Sequence, residues 1–114
     1  MIHSKELKNT LIEITDFALK QNLKNWSEIF NKAIVVIDSA SPEEDYYHKD
    51  LIPQGNYSLI ARQILFSAGS AWVFGGMGSW NDLGFDGKDN DTYERLSEQL
   101  YSNIISAIIA SINV

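Results

Sequence analysis

Residues 4–20, SKELKNTLIEITDFALK, set Leu7, Leu11, Ile14 and Ala18 at i, i+4, i+7 and i+11. This spacing returns to one side of a 3.6-residue turn, so it predicts an amphipathic helix with a single buried stripe. Such a stripe must be covered by another element. The rest of the chain repeats the same period, which makes helix on helix the expected cover.

A second helix is expected to open at Asn25-Trp26-Ser27-Glu28, where Asn25 and Glu28 have the spacing of a capping box. Trp26, Ile29, Phe30, Ala33, Ile34 and Ile37 would line its inner face. The run Ala33-Ile34-Val35-Val36-Ile37 is β-branched enough for a strand, but it continues the helical phase with no turn before it, so it reads as helix. A third helical pattern starts at Tyr57 and places Ile60, Ala61, Ile64, Leu65 and Ala68 on one face. Gly69 interrupts it, and residues 71–74 fit helix or strand. The last helix is expected from Asp91-Thr92-Tyr93-Glu94, a second capping-box pattern, through Leu96, Leu100, Ile104, Ala107 and Ile108. From Ile104 onward it is apolar on most faces, which predicts a central position.

Two irregular connections separate these patterns. Residues 38–56, DSASPEEDYYHKDLIPQGN, hold both prolines, with one short helical turn expected after Ser41-Pro42. Residues 75–88, GGMGSWNDLGFDGK, hold five of the seven glycines, so their backbone can turn sharply. Met77, Trp80, Leu83 and Phe85 supply anchors that make this a structured loop. The expected fold is all-α: a compact single-domain bundle of about four main helices over residues 1–114, with a Gly-rich loop before the last helix.

Composition narrows the function classes. With 45% apolar and 21% charged residues the 114-residue chain has ordinary globular usage and enough length for a core. It has no cysteine, and its two histidines, His3 and His48, cannot build a zinc site alone. No apolar run approaches a membrane span and the start does not read as a signal peptide, so a cytoplasmic protein is expected. A net charge of −6 and a pI near 4.7 argue against nucleic acid and suit a basic protein partner.

Candidate chemistry is sparse. Asp82, Asp86 and Gly87 match three positions of a calcium loop, but Gly84 and Tyr93 stand where two further oxygen ligands are needed, so no metal is expected. Gly75-Gly76-Met77-Gly78-Ser79 lacks the lysine of a phosphate-binding loop. His48 lies among carboxylates, with no arrangement that marks a base beside a nucleophile. Glu43, Glu44 and Asp45 are adjacent acids of a proline-flanked loop, the setting of solvated charge. No catalytic residue and no cofactor is therefore assigned.

The residues left are those that anchor protein interfaces: Tyr46 and Tyr47 beside Glu43, Glu44 and Asp45, and Trp80 and Phe85 beside Asp86, Asp89 and Asp91. Trp80 fits either an exposed contact or a core anchor.

Residues 74–85, FGGMGSWNDLGF, resemble the GGMGS-aromatic-ND-L signature of small bacterial immunity proteins encoded beside polymorphic toxins of the contact-dependent-inhibition and Rhs type. The signature spans about a tenth of the chain, and the flanking layout is similar too. The resemblance implies a single non-catalytic helical domain that binds one cognate toxin and masks its active site or substrate surface. It also implies that Gly75, Gly76 and Gly78 permit the turn, that Ser79 or Asn81 caps backbone groups, and that Trp80 and Leu83 pack inward. Were the toxin a nuclease, its basic cleft would suit the acidic residues named above. A small non-catalytic subunit or regulator of an endogenous cytosolic complex is the alternative.

Overall fold

The computed structural model describes residues 2–40, 42, 58–71 and 79–112, and builds them into four helices with no strand among them: α1 (Ile2–Lys20), α2 (Lys24–Ile37), α3 (Leu59–Ser70) and α4 (Gly87–Ile112). One 3-10 turn, Trp80–Asp82, precedes α4. Each helix packs against its neighbours in sequence, and α4 closes the ring against α1. Cross-links set the directions. Ser67 Oγ donates to the Ala33 carbonyl at 2.7 Å and Gln63 Nε2 to the Ser39 carbonyl at 2.7 Å, so α3 runs antiparallel to α2. Asn103 Nδ2 donates to Thr10 Oγ1 at 2.6 Å while Arg95 reaches Glu13, so α4 runs antiparallel to α1. The result is an up-down-up-down four-helix bundle.

The stripe that decided the fold is the stripe that is buried. Leu7, Leu11, Ile14 and Ala18 lose all solvent exposure and meet Phe30, Ala33 and Ile37 from α2, Ile64 and Ala68 from α3, and Leu96, Leu100, Ile104 and Ala107 from α4. The β-branched run of α2 is helical to Ile37, with Val36 turned from the main cluster onto Phe66 of α3. Between α2 and α3 the buried Ser67 hydroxyl is satisfied by its bond to the Ala33 carbonyl.

Three boundaries depart from expectation. α2 starts at Lys24 and no side chain caps it: Asn25 and Glu28 are exposed and lie inside the helix, and the hydroxyl of Ser27 turns back to the Lys24 carbonyl at 2.7 Å. What positions this helix is the end of the one before it. Asn22 takes the left-handed conformation, φ +59, while Leu23 N–H donates to Ala18 O at 2.8 Å and Asn22 N–H to Leu19 O at 3.1 Å. These are the two bonds of a Schellman closure, with asparagine in the place glycine usually holds. α3 starts at Leu59, where Ser58 Oγ accepts the Ala61 N–H at 3.1 Å, and it continues through Gly69 to Ser70. Within it Ile60 is half exposed, so the inner face is Ala61, Ile64, Leu65 and Ala68. α4 starts at Gly87, four residues before the expected cap, so Asp91 is an exposed residue within the helix. The expectations for Tyr57, for Trp72, Val73 and Phe74, and for Gly75 to Gly78 lie outside the described residues.

Truncating Leu11 to alanine should cost about 3 kcal/mol, as for other fully buried leucines whose site cannot collapse, read as a lower urea midpoint with unchanged slope. At the α1–α2 turn, Asn22→Ala should destabilise by about 1 kcal/mol from left-handed strain, while Asn22→Gly should not. Equal midpoints for the two Asn22 variants would show that the turn relaxes without its positive φ.

Candidate partner-binding surface

The site is built around Trp80, which is wholly buried. Its ring meets Phe30 at 5.1 Å, Trp26 at 5.5 Å and Phe17 at 6.5 Å, each edge to face, and Tyr93 at 5.4 Å, tilted. Edge-to-face contact sets the positive rim of one ring against the negative face of another, which adds to the burial of area. The indole and the carbonyl of Trp80 are satisfied as well, whereas the hydroxyl of Ser79 caps nothing and is buried without a hydrogen-bond partner among the described residues. The indole Nε1–H donates to Ser97 Oγ at 2.7 Å, and Ser97 Oγ donates to the Tyr93 carbonyl at 2.6 Å. The Trp80 carbonyl accepts the Tyr93 hydroxyl at 2.6 Å and the Leu83 N–H at 3.2 Å. Trp80 is thus a core anchor, and its candidacy as a contact residue is withdrawn because no part of it reaches solvent. Leu83 packs inward beside it, half-buried.

Residues 83–86 run from this anchor to α4 as an irregular arm. Phe85 holds the arm down, with its ring 5.2 Å from Phe17 and 5.3 Å from Tyr93. The Phe85 N–H donates to Asn90 Oδ1 at 3.2 Å, and Asn90 Nδ2 donates to Glu94 Oε1 at 3.3 Å. Gly87 enters the helix at φ +58, the left-handed region that L side chains rarely adopt. Open space surrounds the position where its Cβ would stand, so the need for glycine there lies in the backbone.

Acidic side chains cover the outside of this assembly. Residues 82–98 carry six carboxylates against two cations, which is −4 of the chain's −6. Asp82, Asp86, Asp89 and Asp91 are all exposed. From α1, Glu13 and Asp16 join them: with Asp89 they line a cleft of about 320 Å³ between α1 and α4 whose floor is Phe17 and Leu96. Lys20 and Arg95 also line it, and Arg95 Nη1 lies 3.6 Å from Glu13 Oε2. Of the candidate contact residues, the structure therefore brings Asp86, Asp89 and Asp91 onto one end of the bundle. Glu43, Glu44, Asp45, Tyr46 and Tyr47 lie outside the described residues. Glu13, Asp16 and Arg95 were not singled out in sequence. They occupy outward positions of helices whose mutual register no local pattern reveals.

Among the described residues no three His, Cys, Asp or Glu side chains converge as a metal site would require. Nor is any described helix long and apolar enough to cross a membrane. No family model matches the chain, and no curated protein and no solved structure is significantly similar to it.

The site perturbs the titration of Tyr93. Burial raises its phenol above the usual value, and the negative charges of Asp82 and Glu94 raise it further. The folded state then keeps this proton in a range where the unfolded chain releases it. Stability from Tyr93 is complete below the unfolded value of about 10 and falls as pH rises through and beyond it. Replacing Tyr93 with phenylalanine should cost about 1 kcal/mol at pH 7, through loss of the bond to the Trp80 carbonyl. The gap from the parent should narrow at pH 10.5, where urea titrations of both proteins would reveal it; an unchanged gap would contradict the alkaline role of this phenol.

Proposed function

We propose that this chain is an immunity protein that binds a cognate toxin with a basic active-site surface, such as a nuclease, and neutralises it by occupying that surface. The observation that carries this reading is the placement of the acidic arm. Asp82, Asp86, Asp89 and Asp91 project from a segment whose backbone is held by Trp80, Phe85 and Tyr93, so their charges are presented with little ordering left to do on binding. A fixed negative field speeds encounter with a basic partner and rejects acidic ones. The likeness of residues 74–85 to the immunity signature supports the same reading, because that stretch contains the anchor and residues 83–85 of the arm. The function needs no chemistry of the chain's own and would be carried out in the cytoplasm, where an incoming toxin must be met.

The test is rescue. The product of the adjacent upstream reading frame is expressed with and without this protein, and growth and a co-purified complex are followed; rescue with a one-to-one complex is expected. No toxicity to relieve, or no complex, would overturn the proposal. Within such a complex, reversing Asp86, Asp89 and Asp91 to lysine should slow association at least ~10-fold at low salt and flatten its salt dependence. Reversing Glu43, Glu44 and Asp45 should do the same only if the proline-flanked loop shares the interface. Association rates that neither set changes would remove electrostatic steering from the mechanism.

A further inference from the structure

The cleft between α1 and α4 has features that the general acidity of the surface does not explain. Its walls are two antiparallel rows, Glu13, Asp16 and Lys20 on α1 and Asp89, Thr92 and Arg95 on α4, and its floor is the apolar surface of Phe17 and Leu96, so three carboxylates face two cations. Its 320 Å³ is at the small end of the range for ligand pockets, too small for a peptide strand. The carboxylates do not converge as a metal centre would need; they are spread along the cleft. An elongated cation with an aliphatic stem matches that distribution: the stem lies on Phe17 and Leu96 and the charged head meets the carboxylates. The cleft already holds two such groups, its own Lys20 and Arg95, and Arg95 is in an exposed and therefore weak pair with Glu13. Asp16 and Asp89 make no ion pair or side-chain hydrogen bond among the described residues.

We propose that this cleft receives one arginine or lysine side chain of the partner protein, held between Asp16 and Asp89 with its stem on Phe17 and Leu96. Charge complementarity selects the occupant, since Asp82, Asp86 and Asp91 at the same end of the bundle add negative potential to the entrance. Arginine fits best, because its planar head engages a carboxylate through two donors while its three-carbon stem covers the floor. This proposal deepens the immunity reading and rests on it for the identity of the partner, but the cleft is tested separately.

The probe is Nα-acetyl-arginine amide, which presents the side chain as a protein does, titrated at low salt into the isotope-labelled full chain and followed by amide chemical shifts. Saturable shifts are expected at Asp16, Phe17, Asp89 and Leu96, with half-saturation in roughly the millimolar range that a single side-chain contact supplies. The Asp16→Asn/Asp89→Asn variant should bind at least ~5-fold more weakly, the loss of two exposed charge contacts. Glu98→Gln, which removes a charge of α4 outside the cleft, should bind like the parent. Thermal melts of both variants confirm folding, as the exchanged side chains are exposed. Shifts spread over every carboxylate, equal binding by the double variant, or binding of putrescine without binding of the arginine derivative would overturn the proposal. Toxin rescue with a cleft silent to the probe overturns it and leaves the immunity reading standing, whereas probe binding with no toxin to rescue from overturns that reading and leaves the cleft.

Discussion

The burial of Trp80 is the constraint on which the arrangement depends. The residue belongs to a connection, yet its ring stands where the C-terminal part of α1, the start of α2 and the first turns of α4 meet. Four aromatic side chains surround it, so the end of the bundle is closed by the loop and does not need longer helices. The hydrogen bonds decide the direction of the chain there. With the indole N–H on Ser97 and the carbonyl on the Tyr93 hydroxyl, both the side chain and the backbone of Trp80 are tied to α4.

The packing also explains why the segment from Trp80 to Gly87 presents a defined surface. Gly84 and Gly87 free the backbone, but Phe85 between them is held by two rings. The positive φ of Gly87 turns the chain from the arm into the helix, and what remains outside is a row of exposed carboxylates. The same ring of Phe17 that supports Phe85 forms the floor of the α1–α4 cleft, so the arm and the cleft share one foundation.

Helical periodicity made most of the fold legible. Leu7, Leu11, Ile14 and Ala18 announce α1 because a stripe at this spacing is buried only by a helix, and Leu96, Leu100, Ile104 and Ala107 do the same for α4. The helix starts were harder to read. Asn25 with Glu28, and Asp91 with Glu94, have the types and spacing of a cap, but the same residues are at ease on an exposed helical face. The real determinants are the left-handed Asn22 and the Gly87 entry, which are conformations and not patterns. Of the candidate site, the acidic arm could be read from composition. The cleft could not, because Glu13 and Arg95 meet only once α1 and α4 adopt their register, a contact between residues far apart in the chain. The side to which Trp80 turns was equally undecidable from its neighbours, since an aromatic in a glycine-rich stretch serves a core or an interface with the same side chain.

The antiparallel register of α1 and α4 has a practical corollary. Ile2 and Ile112 lie at the same end of the bundle, and the acidic arm lies at the other. At 1.5 Å per residue, α4 alone separates Asp89 from Ile112 by about 35 Å. A fluorophore, an affinity handle or a fused protein attached at either terminus is therefore carried on the side away from the carboxylates. The molecule can be tethered to a chip or a bead by whichever end is convenient and will turn its charged tip toward the solution.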